Sequence, residues 1–397
     1  MSRISARTRS KLGLILLAYI AFISLGLPDG LLGVAWPSIR ANFSRSLDSL
    51  GMLMIATMLG YMTSSFVSGR VMAKLGVGGL LAASCAMTGT ALLGYTLAPT
   101  WWVMVALGVL AGLGAGAIDA GINTYVAANF GEGLMQWLHA SFGVGITLGP
   151  IIMTTGLNVF GAWRWGYVVV GVAQVTLALC FFLSISMWQQ ADGQHKPEDE
   201  RLLTDYKTAF GDTLRQPSVW ASILLFFLYT GIEMTLGAWA YTLLTESRAV
   251  TPAVAGLWAG SYWATFTLGR VLAGLYTRRI GQHKLLVGTI LLALTGALLL
   301  WWNPSEGVSL LGVALTGFAL APIFPALVSS TSGRVGPRHA ANTIGMQIAA
   351  AGLGGSLIPG LAGVLAQRIS LEVIPIYLAA LLLALMAMVG FSRRGKG

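Results

Sequence analysis

Residues 58–73, MLGYMTSSFVSGRVMA, and residues 258–273, WAGSYWATFTLGRVLA, are two versions of one text. They match Gly60 to Gly260, Gly69 to Gly269 and Arg70 to Arg270. DGLLGVAW (29–36) aligns with EMTLGAW (233–239) and sets Asp29 opposite Glu233. GVLAGLGAG (108–116) aligns with GVALTGFAL (312–320), and Trp101–Trp102 answers Trp301–Trp302. One such match could be chance between glycine-rich apolar helices. Several in the same order mark a duplicated chain, as in carriers built from two repeated bundles.

Each copy is a membrane bundle. Only 10% of the 397 residues are charged and 56% are hydrophobic, whereas a soluble domain carries about a quarter charged residues. Apolar runs of about 20 residues cross a bilayer. Six such runs fall near 12–37, 48–72, 78–97, 102–128, 134–157 and 165–187, and six near 217–243, 252–276, 284–302, 308–330, 342–366 and 373–392. The expected fold is therefore all-α: twelve transmembrane helices in two six-helix bundles, residues 1–188 and 217–397, joined by a polar linker, 189–216, that contains HKPEDERLLTDYK. Part of that linker, Arg201–Phe210, reads as an amphipathic segment on the membrane surface.

The net charge of +10 is a topology signal rather than a nucleic-acid footprint, because the basic residues are scattered through short loops. With both termini inside, all of the 24 Lys and Arg except Arg40, Arg45, Arg164, Arg248 and Arg368 fall on the inner side. The positive-inside rule then orients a multi-pass protein of the cytoplasmic membrane with cytoplasmic termini. The basic start followed by apolar residues lacks an A-x-A cleavage site, so it reads as a retained first span. Cys85 and Cys180 have no metal-ligand spacing. H-E-x-x-H and G-x-S-x-G are absent, so neither an enzyme nor a metal or other cofactor is expected.

Of the 14 acidic residues only Asp29, Asp119 and Glu233 lie deep in spans, and no Lys or Arg joins them. A buried charge is costly in a bilayer and marks a functional position. Pro28 and Gly30 flank Asp29, and both residue types weaken a helix, so a break beside that acid is expected. Gly112, Gly116, Asp119 and Asn123 recur at helical spacing on one face, which admits either a second helix or a ligand. His139 falls at a similar depth; it can bond Asp119 or a backbone carbonyl. A carboxyl in a dry cavity can take up and release a proton, so Asp29, Asp119, Glu233 and His139 are the proton-coupling candidates, with sodium as an alternative ion. Interior acids without cations disfavour an anionic solute. Trp36 and Trp239 offer indole faces to a sugar ring. Asn123, Gln136, Tyr229, Tyr241, Tyr262, Asn342 and Gln347 are candidate polar contacts, although such residues also serve packing.

At this point the chain resembles the major facilitator superfamily. GRVMAKLG (69–76) looks like that superfamily's motif between its second and third spans, with Ala73 where an acid is usual. GRVLAGLYTRRIGQHK (269–284) is the second-half copy, and the resemblance implies a gating role for Arg70, Lys74 and Arg270. GITLGP (145–150) looks like the front of a fifth-span motif associated with antiporters, or serves close packing. Asp29 with Asp119 resembles the fucose-permease-type branch, whose members are proton-linked sugar carriers. The resemblance implies a monomeric, proton-coupled transporter of a small neutral sugar or polyol working by alternating access. Its aromatic residues and 15 Met leave a second reading open, proton-linked efflux of apolar or cationic drugs.

Overall fold

The computed structural model describes residues 2–129, 132–191 and 208–394. Among them no strand occurs, and eleven helical segments are long and apolar enough to cross a membrane. A twelfth, α9 (Pro252–Ile280), matches them in length at 29 residues. The chain forms two compact units, residues 1–44 with 52–197 and residues 45–51 with 198–397.

The first unit contains α1 (Ser2–Asn42), most of α2 (Ser49–Leu97), α3 (Trp101–Asn129), α4 (Glu132–Phe160), α5 (Arg164–Leu183) and the short α6 (Ile185–Ala191). The second and third spans meet inside α2 with no loop between them. Gly76 alone leaves helical geometry there, at φ 70° and ψ 172°, a conformation open to a residue without a Cβ. The core gathers Leu14, Phe22, Leu81, Ile118, Leu138, Phe181 and Trp188 from all six helices.

α1 does not break at Pro28. It runs unbroken from Ser2 to Asn42 with Pro28 and Pro37 inside it. A proline lacks the N–H that would bond the carbonyl four residues back, which here is that of Ser24. The fully buried amide of Gln174, on α5, donates to that carbonyl at 2.9 Å. The lost backbone bond is thus replaced from a neighbouring helix, and the break becomes unnecessary. The other side of α1 is closed by α4. A Cβ on Gly149 would stand 2.7 Å from Gly30 Cα, and one on Gly30 would stand 2.8 Å from Pro150 Cδ. GITLGP is therefore a surface on which α1 packs, the close-approach use of small residues in membranes.

The second unit contains α7 (Phe210–Leu214), α8 (Pro217–Thr242), which continues into a π-helical turn over Leu243–Ser247, α9, α10 (Gln282–Trp302), α11 (Glu306–Leu320), α12 (Ile323–Ser329), α13 (Thr331–Val335), α14 (Pro337–Arg368) and α15 (Val373–Arg394). The tenth span is divided into α11 and α12 at Ala321–Pro322. First and fifth spans pack closely in each unit: α1 on α4, and α8 on α14, where a Cβ on Gly354 would stand 2.8 Å from Phe227 Cα. Residues 45–51 belong to this second unit, with the Leu47 N–H donating to Gln367 at 3.0 Å.

One end of the unit is fastened by Arg248. Its guanidinium donates to both carboxylate oxygens of Glu372 (3.0 and 2.7 Å), to Ser309 Oγ (2.9 Å) and to the Leu300 carbonyl (2.8 Å). The π-helical turn, α10, α11 and the start of α15 thereby share one hub. Burial alone would raise the Glu372 carboxyl, but the bonds from Arg248 and Ser247 outweigh it and hold the group below its ordinary range. The Glu372 contribution is therefore present above the usual carboxylate range and is lost as pH falls through the lowered value.

Gln174→Leu is expected to lower unfolding stability in detergent by about 1 kcal/mol, because the Ser24 carbonyl loses its only donor from α5. In a Pro28→Ala background the restored N–H serves that carbonyl, and the same substitution should cost markedly less. Equal costs in the two backgrounds would contradict the replacement.

Candidate functional site

The first unit holds an acid cluster on α2 and α3. Gly112 and Gly116, on the predicted face of α3, lie against the backbone carbonyls of Thr57 and Tyr61 on α2, with no room for a Cβ at either position. The glycines admit a helix. That approach lets the Tyr61 hydroxyl donate to Asp119 Oδ2. Asn123, one turn along α3, donates to Asp119 Oδ1 at 2.8 Å and to its carbonyl at 3.0 Å. Ser65 adds a bond to the Gly116 carbonyl at 3.3 Å.

Tyr61 and Asn123 are both neutral donors to the carboxylate. A protonated carboxyl keeps less accepting capacity and gains a donor. A proton on Asp119 would therefore compete with these two donors for the carboxylate oxygens. Asp29 lies on the exposed side of α1 and is close enough to act electrostatically on Tyr61. It has no hydrogen bond or ion pair to another described residue. Asp29, Tyr61 and Asp119 form one constellation drawn from the first, second and fourth spans. The side chains of Arg70, Gln136 and His139 lie outside the described residues, and Lys74 is exposed.

In the second unit Glu233, on α8, is buried and has three polar neighbours. Tyr262 donates to its backbone carbonyl at 2.7 Å, the Tyr229 hydroxyl lies near its side chain, and Arg270 Nη2 stands 3.9 Å from Oε1. The Arg270 guanidinium also lies over the Phe266 ring, 4.4 Å from its centroid. This corrects the expectation that no cation reaches the buried acids. Arg270 lies in the C-terminal half of α9, and its long side chain extends along Phe266 to the carboxylate, as long basic side chains do in membranes. The argument against an anionic solute loses force at Glu233.

The remaining candidates have protein partners. Trp36 is fully buried and packs on Trp101 at 5.9 Å. Trp239 is fully buried and donates to the Pro359 carbonyl at 3.0 Å, tying α8 to α14. Tyr229 donates to the Leu320 carbonyl at 3.0 Å, and Tyr241 is buried. Gln347 bridges Thr331 (3.0 Å) and Ser222 (2.6 Å). Asn342 donates to the Thr208 carbonyl and to Thr213 Oγ1, each at 3.1 Å. Tyr61 and Gln174 were not singled out from the sequence. Tyr61 stands inside the repeated segment, directly after Gly60. Gln174 is a lone amide in an apolar span. Among the described residues no three His, Cys, Asp or Glu side chains converge to hold a metal ion.

The family model of the Major Facilitator Superfamily matches residues 18–246 and again 222–396. The chain belongs to the major facilitator superfamily. It is a multi-pass membrane transporter of a small molecule and not an enzyme. Similar proteins include Bypass of stop codon protein 6 of Saccharomyces cerevisiae, 24% identical, covering 90% of this chain and 78% of that protein. The glucose/mannose transporter GlcP of Bacillus subtilis is 21% identical over 88% of this chain and 87% of its own length. The human Sodium-dependent glucose transporter 1 is 22% identical over 78% and 65%. Among solved structures, a bacterial homologue of the lysosomal transporter Spinster superposes with a TM-score of 0.76 at 14% identity, covering 97% of each chain. A variant of the nucleoside transporter NupG reaches 0.79 at 13% identity, covering 95% of this chain and 98% of its own. At these identities the superpositions speak for the fold alone.

Glu233→Gln and Arg270→Gln are each expected to lower the thermal midpoint, and the double variant should lower it by less than their sum. A coupling of about 0.5–3 kcal/mol belongs to groups in direct contact. Strict additivity would mean that the two side chains do not act as a pair.

Proposed function

We propose that this chain is a secondary transporter moving a neutral sugar or polyol across the cytoplasmic membrane by alternating access, driven by protons. The observation that carries this reading is the Asp29–Tyr61–Asp119–Asn123 constellation. Acids in a span are expensive, and Asp119 accepts a bond from a neighbouring helix while Asp29 lies near the same tyrosine. Moving one charge through 100 mV releases about 2.3 kcal/mol, enough to accumulate a solute many-fold. The family membership and the sugar-transporter relatives named above support the solute class.

Asp119 and Asp29 are the primary proton carriers in this scheme, with His139 as a partner of Asp119 and Glu233 as a second-unit acid modulated by Arg270. Arg70, Lys74 and Arg270 serve gating. Trp36, Trp239, Tyr241, Tyr262, Gln136 and Gln347 remain candidate solute contacts in states of the cycle that open their surroundings. The Lys and Arg bias supports cytoplasmic termini, and a monomer suffices for the cycle. A second reading has sodium as the driving ion, because relatives carry sodium dependence in their names and Asp119, Asn123 and Tyr61 offer oxygen ligands.

Glucose added outside unbuffered vesicles containing the protein is expected to alkalinise the medium without sodium. Uptake that requires sodium and leaves pH unchanged would replace the proton with sodium. Absence of sugar flux under either ion gradient would remove the sugar reading.

A further inference from the structure

The second unit carries a cavity of about 700 Å³ lined by Thr208, Ala209, Asp212, Arg215, Gln216, Arg338 and His339. It lies between the end of the polar linker and the start of α14, away from Glu233 and Arg270 in the chain. We propose that this cavity binds a phosphate-bearing polar ligand, either a soluble phosphorylated compound or a lipid headgroup. This proposal does not rest on the identity of the transported solute.

The lining sets the ligand class. Two arginines, one histidine and one aspartate are among its lining residues. Asp212 lies 3.6 Å from Arg215 with both side chains largely exposed, and an exposed pair of this kind holds weakly. A phosphate can displace that carboxylate and take two parallel bonds from an arginine fork. The space is open to solvent on one side and is larger than a bare anion needs. Ala209 is the one lining residue with a wholly apolar side chain, and the carbon stems of the arginines add apolar surface beside it.

The walls are held in place by neutral bonds that leave the arginines free to bind. Thr208 Oγ1 donates to the Arg338 carbonyl at 2.7 Å. Asn342 bonds both the Thr208 carbonyl and Thr213 Oγ1. His339 Nδ1 and Thr213 Oγ1 are 3.1 Å apart, and Trp220 donates to the Leu214 carbonyl at 2.8 Å. Together these bonds dock α7 against α14 and α8. A ligand spanning Arg215 and Arg338 would add a charged tie across the same joint, fixing the linker's end to the helix that packs on α8.

The test is thermal unfolding of the full chain in neutral detergent. Inorganic phosphate should raise the midpoint, with a shift that grows as the logarithm of its concentration, whereas chloride at equal ionic strength should not. The Arg215→Ala/Arg338→Ala double variant should keep the midpoint measured without phosphate and lose the shift; lysine at both positions should restore part of it. A parallel series in mixed micelles compares phosphatidylglycerol with phosphatidylcholine. A shift with free phosphate assigns a soluble ligand, and a shift with phosphatidylglycerol alone assigns a headgroup. No shift with either probe, or a shift retained in the double alanine variant, overturns the site.

Discussion

A carbonyl orphaned by a proline has no water to turn to in a bilayer, and the first unit is built around this constraint. Pro28 frees the Ser24 carbonyl, and Gln174 takes it at 2.9 Å. Because that exchange is made inside the protein, α1 stays helical and carries Asp29 on its exposed side. The same rule accounts for two of the acids: Asp119 is served by Tyr61 and Asn123, and the Glu233 carboxylate faces Arg270. Polar groups within hydrocarbon need internal partners, and short side chains reach one another only where helices come close. Glycine supplies that closeness at Gly112 and Gly116 in the first unit and at Gly354 in the second.

The duplication is a shared scaffold with unequal chemistry. In both units the first span packs on the fifth through small residues. Asp29 and Glu233 follow the repeat, but Asp119 has no matching acid in the second unit. The first unit ties an acid of its fourth span to a tyrosine of its second. The second unit sets the acid of its first span beside an arginine of its second. Tyr262 stands one position away from the residue that matches Tyr61 in the aligned segments. A scaffold can be copied whole while each copy's polar interior is rewritten, because packing depends on small residues at fixed spacing and polar contact on a few exchangeable ones.

Much of this was legible before any coordinates. Span length and repeated text are local properties, and they gave the helical class and the duplication. The α3 face of Gly112, Gly116, Asp119 and Asn123 was readable from spacing alone. What escaped the sequence depended on partners distant in the chain. Pro28 looked like a break because Gln174, 146 positions away, could not be seen to stand in for the missing N–H. Arg270 looked like an interfacial residue because the reach of its side chain along Phe266 is a matter of rotamer and neighbour. The bonds of Asn342 to Thr208 and Thr213 were not readable, because those linker residues have no periodic signature.

The central claim is that Asp119, held by Tyr61 and Asn123, carries the driving ion rather than the solute. Its most direct test compares two fluxes of labelled glucose in vesicles containing Asp119→Asn. Exchange at equal concentrations on both sides needs no net movement of the ion, so it should persist. Accumulation under an ion gradient should be abolished. Accumulation equal to that of the unsubstituted protein would contradict the claim.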